Sequence, residues 1–254
     1  MEIITRRLGG FGELEVYPVS DVHLGDPKTD EALFEAFTKH ILLEPNRFVI
    51  LNGDLINNAI KTSVSNVYNE KYSPKIQKYM MIDYLKPLTE RILCIVPGNH
   101  EARNSKEVDN DITYDMAYAL GLTDYYCENG AYINIQFGND RHGRHLSYTG
   151  YIVHGKGGGR NAGSSLAVLE KLSMVCIADF YVMGHTHQCE GCKKAYFRPN
   201  ATWDKLEYHE RALVISRPWQ DYGGYAQRSL YTPTVKGAKP MILNGRRKDI
   251  EVRL

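Results

Sequence analysis

Five short apolar runs, each ending in residues that bind metals well, constrain this chain more than any other feature. Val16 to Val19 leads into Ser20-Asp21-Val22-His23, and Phe48 to Leu51 leads into Asn52-Gly53-Asp54. Ile92 to Val96 leads into Pro97-Gly98-Asn99-His100-Glu101. Tyr151 to Val153 precedes His154, and Phe180 to Met183 precedes Gly184-His185-Thr186-His187. Runs of this length read as buried strands, and a strand end holds a ligating side chain on a rigid support. Asp21 and His23 stand two apart, so on an extended chain both face one ion. Five of the nine histidines belong to this ordered set. Local hydrogen bonding explains a histidine at any one strand end, but it is a strained explanation for all of them. Imidazole nitrogens mixed with carboxylate and amide oxygens suit manganese, iron or zinc better than calcium or magnesium.

Between these motifs the pattern alternates strand and helix. Thr29 to Leu43 reads as an amphipathic helix with Leu33, Phe34, Phe37 and Ile41 on one stripe. Asn57 to Ser73 reads as a loop over the site, and Pro74 opens a helix carrying Ile76, Met80, Met81 and Leu85. A further helix is expected from about Glu107 to Leu120, closed by Gly121, followed by an alternating strand from Tyr132 to Phe137. The glycine-rich run from Gly155 to Ser164 lacks Walker spacing. It reads either as a linker or as a phosphate-binding loop before a helix with Leu166, Leu169 and Leu172. The last third is β-rich: Ala212 to Ser216 is one strand, and Met241 to Leu254 a hairpin around Asn244-Gly245. Between these lies an aromatic segment, Trp219 to Tyr225, open to base stacking or to core packing.

At 254 residues, the chain is expected to form a single domain, 1–254. Its net charge of +1 gives no global attraction to nucleic acid or anionic membrane. Met1 to Arg7 lacks the order of a signal peptide, and no apolar run matches a bilayer span, so a soluble cytoplasmic protein is expected. Cys94, Cys127, Cys176, Cys189 and Cys192 are scattered and odd in number, which fits a reducing compartment. Cys189 and Cys192 have zinc-knuckle spacing without a second pair and read as free thiols in a turn.

The ordered motifs resemble those of the calcineurin-like metallophosphoesterase superfamily over roughly residues 14 to 187. The resemblance implies an α/β fold, an αββα sandwich of two mixed β-sheets flanked by helices. It implies that Asp21, His23 and His187 hold one metal, that Asn99, His154 and His185 hold the other, and that Asp54 bridges them. It further implies that His100 serves the leaving group. Two cations about 3.5–4 Å apart share a water, lower its pKa and bind phosphoryl oxygens, so that a metal-bridging hydroxide attacks phosphorus in line. Manganese is the expected metal, with iron and zinc as alternatives. Many relatives carry an aspartate three residues after the bridging one, where it favours the cationic form of the histidine. This chain has Asn57 there, whose amide oxygen accepts a hydrogen bond from an imidazole N–H without supplying charge. The expected substrate is a phosphodiester such as nucleic acid or a nucleotide, contacted by Asn99, Arg103, Lys156 and Arg160. The alternatives are phosphomonoester hydrolysis on a small molecule or phosphoprotein, and a non-catalytic metal-binding scaffold.

Overall fold

The computed structural model describes residues 3–63, 67–157, 162–228 and 231–253. The strands are β1 (Ile3–Arg7), β2 (Glu13–Val19), β3 (Arg47–Asn52), β4 (Ile92–Val96), β5 (Ala131–Phe137), β6 (Leu146–Val153), β7 (Phe180–Met183), β8 (Glu190–Pro199), β9 (Leu206–Ile215), β10 (Met241–Asn244) and β11 (Ile250–Val252). The main helices are α1 (Glu31–Leu42), α2 (Pro74–Leu85), α3 (Ala102–Val108), α4 (Ile112–Ala119) and α5 (Ala162–Leu172). One sheet runs β1-β5-β6-β7-β9-β8 and the other β11-β10-β2-β3-β4, and each mixes parallel with antiparallel pairs.

The two sheets face each other across a core that includes Val16, Phe48, Ile50 and Val96 from one and Ile133, Ile152, Phe180 and Val182 from the other. The opposite face of β2 and β3, with Tyr17, Val19, Val49 and Leu51, packs against Phe34, Phe37 and Ile41 of α1, and Met81 and Leu85 of α2. Leu169 of α5 covers Tyr151, Tyr181 and Met183 on the outer face of the other sheet. Strands β3, β4 and β7 are therefore buried on both faces, which is why they read as unbroken apolar runs. β5, half-covered, alternates strictly between buried and intermediate residues. Helices outside and sheets inside give the expected αββα arrangement.

Two expectations change, and one open alternative is decided for core packing. The single helix from Glu107 to Leu120 is two helices, because Asp109 takes a left-handed φ of 53° and Asp111 caps α4 by accepting from Tyr114 N. Cys192 lies on β8 rather than in a turn and packs toward the α5 side, while Cys189 accepts from Arg217 Nε. Trp219 is fully buried against Phe34 and Phe37, so it is a core residue and not a stacking platform. β1 and β8 have no counterpart in the sequence reading. No helix among the described residues is long and apolar enough to cross a membrane.

Candidate metal centre

The parallel strands β2, β3 and β4 end side by side, and their following loops stay tied together. Asp21 N donates to Gly53 O at 3.1 Å and His23 N to Asp54 O at 3.0 Å. On the facing sheet, Gly184 N donates to His154 O at 3.0 Å, which aligns the ends of β6 and β7. The residues leaving these strands are not extended, contrary to the two-apart argument for Asp21 and His23. Asp21, His23, Asp54, His185 and His187 all adopt left-handed φ values between 50° and 67°. Non-glycine residues rarely stay there unless the surroundings over-determine them, and such residues gather at functional sites. Gly53 and Gly98 permit the approach of the β3 and β4 ends: a Cβ on Gly98 would overlap Asp54, and one on Gly53 would stand 2.5 Å from Gly98 N.

This geometry brings together Asp21, His23, Asp54, Asn99, His100, His154, His185 and His187. Asp21, His23 and His187 form one group whose ligand atoms lie within 4.8 Å of one another, and Asp54, His154 and His185 form another. Asp54 also groups with His23 and His100. Asn99 Oδ1 lies 2.7 Å from His185 Nδ1 and 3.2 Å from His154 Nε2.

Hydrogen bonds from the outside fix which nitrogen of each ring turns inward. His154 Nδ1 donates to Asn52 O at 2.7 Å, and His100 Nδ1 to Asn57 O at 2.7 Å. Asn57 Nδ2 donates to Glu70, so its Oδ1 faces His23 Nδ1 at 3.3 Å. In neutral rings, the Nε2 atoms are then bare acceptors. Yet His23 Nε2 faces His187 Nε2 at 3.2 Å, and His154 Nε2 faces Asp54 Oδ2 at 3.1 Å. The opposed lone pairs of His154 and Asp54 require positive charge between them, whereas a neutral His187 can meet His23 with its N–H; the whole donor set fits a divalent cation of the manganese, iron or zinc type.

Without a metal, protons meet that demand. Burial disfavours the cationic form of His154, but the charges of Asp54 and Asp21 and the bonds to Asp54 and Asn52 outweigh it and raise its pKa to about 10. His23 is raised in the same way, against its burial, by Asp21 and Asp54. Burial also opposes ionisation of Asp21 and Asp54, yet the surrounding histidines hold both carboxyls well below the usual range. His100 departs from this pattern: burial, together with the charges of His23 and Arg103, lowers it to about 3 despite Asp54.

Asn57 does not serve His100 through its side chain. Its main-chain oxygen holds His100 and its amide holds His23, so the departure from the usual aspartate falls on a candidate metal ligand. Arg103 Nη1 donates to the carbonyls of Asn57 and Asn58, which directs it to the loop rather than into the open site. Lys156 is exposed, two residues after His154. Arg160 and residues 158–161 of the proposed glycine-rich phosphate loop lie outside the described residues, as does part of the loop expected from Asn57 to Ser73. Sequence reasoning missed how Glu101 acts: fully buried, it accepts from the main-chain N–H groups of Asp54, Ile56 and Gly98 at 2.9 to 3.0 Å, locking two strand ends together. It also missed Ser20, which donates to Asp21 and contacts Ser216. The Glu of Gly-Asn-His-Glu was a visible signal for the first, and nothing local marked the second.

Among solved structures, a single mutant of Vps29 from Entamoeba histolytica aligns at a TM-score of 0.44 and 14% identity, covering 92% of this chain and 87% of that one. The calcineurin-like phosphoesterase YfkN from Bacillus subtilis aligns at 0.38 and 13% identity, covering 91% of this chain and 90% of that one. Comparison with curated proteins gives no match. The family model described as calcineurin-like phosphoesterase matches residues 15–189, the span that contains every strand end described above. The chain therefore belongs to the calcineurin-like phosphoesterases and is a metal-dependent phosphoester hydrolase.

Proposed function

We propose that this chain is a dinuclear phosphodiesterase acting on a nucleotide or nucleic acid, with manganese as its metal. The observation that carries the dinuclear reading is the position of Asp54 Oδ2. It lies 3.1 Å from His154 Nε2 and 3.8 Å from His23 Nε2, so one carboxylate oxygen borders both candidate ligand groups. Asp21, His23 and His187 would hold one ion and Asn99, His154 and His185 the other, with Asp54 between. Bound there, the ions would supply Lewis-acid polarisation of the phosphoryl oxygens and activation of water.

The chain's own residues orient that chemistry. Asn52 and Asn57 fix the tautomers of His154 and His23, and Glu101 fixes the turns carrying Asp54 and Asn99. His100 is aimed by the Asn57 carbonyl, with Nε2 3.9 Å from Asp54 Oδ2. The negative charge of a bound phosphate helps to protonate that Nε2, which then passes its proton to the departing oxygen. Lys156 is the candidate contact to a flanking phosphate, which supports the diester reading. The single-domain reading, 1–254, rests on the core shared by both sheets. Cytoplasmic residence is supported by the lack of a disulfide among the described cysteines.

Hydrolysis of bis(p-nitrophenyl) phosphate against p-nitrophenyl phosphate, with added manganese, tests the proposal. Wild type should prefer the diester, and Asp54→Asn should lose at least about 10²-fold in kcat. Monoester preference would move the assignment to a phosphatase. Metal binding with turnover of neither substrate would favour the scaffold reading.

A further inference from the structure

A cleft of about 540 Å³ opens where α1 meets β2 and the segment entering β10, and none of the candidate metal ligands lines it. Tyr17 and Phe37 lie beneath its floor, only 5% and 8% exposed, their rings edge to face at 5.6 Å. His40 and Arg47 also line it, with Lys239 and Arg253 exposed at its mouth. Its one carboxylate, Glu15, accepts through Oε2 from Tyr17 Oη at 2.5 Å and from Arg47 Nε at 3.0 Å, and its charge also acts on Arg253. Arg253 meets Glu251 through Nε, leaving its other nitrogens available, and Lys239 has no ion pair among the described residues.

Lys239 and Arg253 also line a small adjoining void of about 10 Å³, together with Arg217 and Cys189. Arg217 is only 8% exposed, and among the described residues no carboxylate pairs with it. Its one hydrogen bond runs to Cys189 Sγ at 3.0 Å. A buried guanidinium without an anion is costly, so Arg217 adds positive potential behind the two cations at the mouth. A concave site of this size with a few convergent charges suits a small ligand, and arginine and lysine together suit phosphate.

We infer that this cleft is a second ligand site, taking a small organic phosphate whose anionic group meets Lys239 and Arg253. The inference does not depend on the hydrolytic reading. Tyr17 and Asp21 are four residues apart along one strand and its exit, about 13 Å, so the two sites are separate.

Phenylphosphonate is a suitable probe because its carbon–phosphorus bond resists hydrolysis. It is titrated calorimetrically into the manganese-loaded protein, as wild type and as the Lys239→Glu, Arg253→Glu double variant, with benzyl alcohol as the uncharged control. The expected result is a binding event in wild type that weakens about tenfold or more in the double variant, with diester hydrolysis unchanged. The Lys239→Ala, Arg253→Ala pair serves if the glutamate pair fails to fold. Isotherms identical in wild type and variant, or benzyl alcohol binding as tightly as the phosphonate, would overturn the inference. Failure of wild type to hydrolyse diesters would strike the catalytic reading and leave this test standing.

Discussion

At the scale of single residues, the site is a set of inward-facing acceptors that need positive charge. On the proposed assignment, proton and metal compete for His154, raised to about 10, and for His23. The sign follows directly: below about pH 10, the metal-free protein keeps His154 protonated, and binding a cation expels that proton. Apparent manganese affinity should rise with pH, about tenfold per unit for each proton released. Calorimetry in buffers of different ionisation enthalpy would count the protons; a pH-independent affinity would remove His154 from the ligand set. His100 has a different task. Because p-nitrophenolate leaves easily, His100→Ala should change its release little, whereas a dinucleotide with an alkoxide leaving group should lose about 10²–10⁴-fold in kcat. Equal losses on both substrates would place His100 in binding rather than proton transfer. The ligand types were legible from sequence because they stand in order at strand ends. The left-handed backbone of Asp21, His23, Asp54, His185 and His187 was not, since it depends on loops locked across two sheets.

At the scale of elements, doubly covered strands were the easiest to read. β4 and β7 were legible to the residue because continuous burial leaves no polar positions to blur their limits. β1 and β8 were not, because edge strands with exposed positions carry a weak hydrophobic pattern. Helix α1 owes its start to Asp30, whose carboxylate accepts from Leu33 N at 3.0 Å and pairs with Lys236. Asp30→Ala should destabilise the protein by about 1 kcal/mol at neutral pH. Lys236 and the Leu33 N–H lower the folded pKa of Asp30. Its contribution is therefore present above the unfolded pKa, near 3.9, and is lost as pH falls through the lower folded value. Urea unfolding of both proteins at neutral and acid pH checks this: the gap should close in acid, and a gap that persists would assign the effect to packing.

At the scale of the whole molecule, two sheets packed face to face place the ends of β2, β3 and β4 opposite those of β6 and β7, so ligands from distant parts of the chain converge. Sequence order supplied the motifs, and the sandwich supplied their convergence. The cleft beside Tyr17 was invisible in sequence, because Arg47, Lys239 and Arg253 become neighbours only through β10 and β11. On the proposed reading, this convergence builds a dinuclear hydrolytic centre. Titrating manganese into metal-free protein while following hydrolysis of bis(p-nitrophenyl) phosphate tests it. Activity should saturate at about two equivalents per chain. Saturation at one equivalent, or hydrolysis indifferent to manganese, would contradict it.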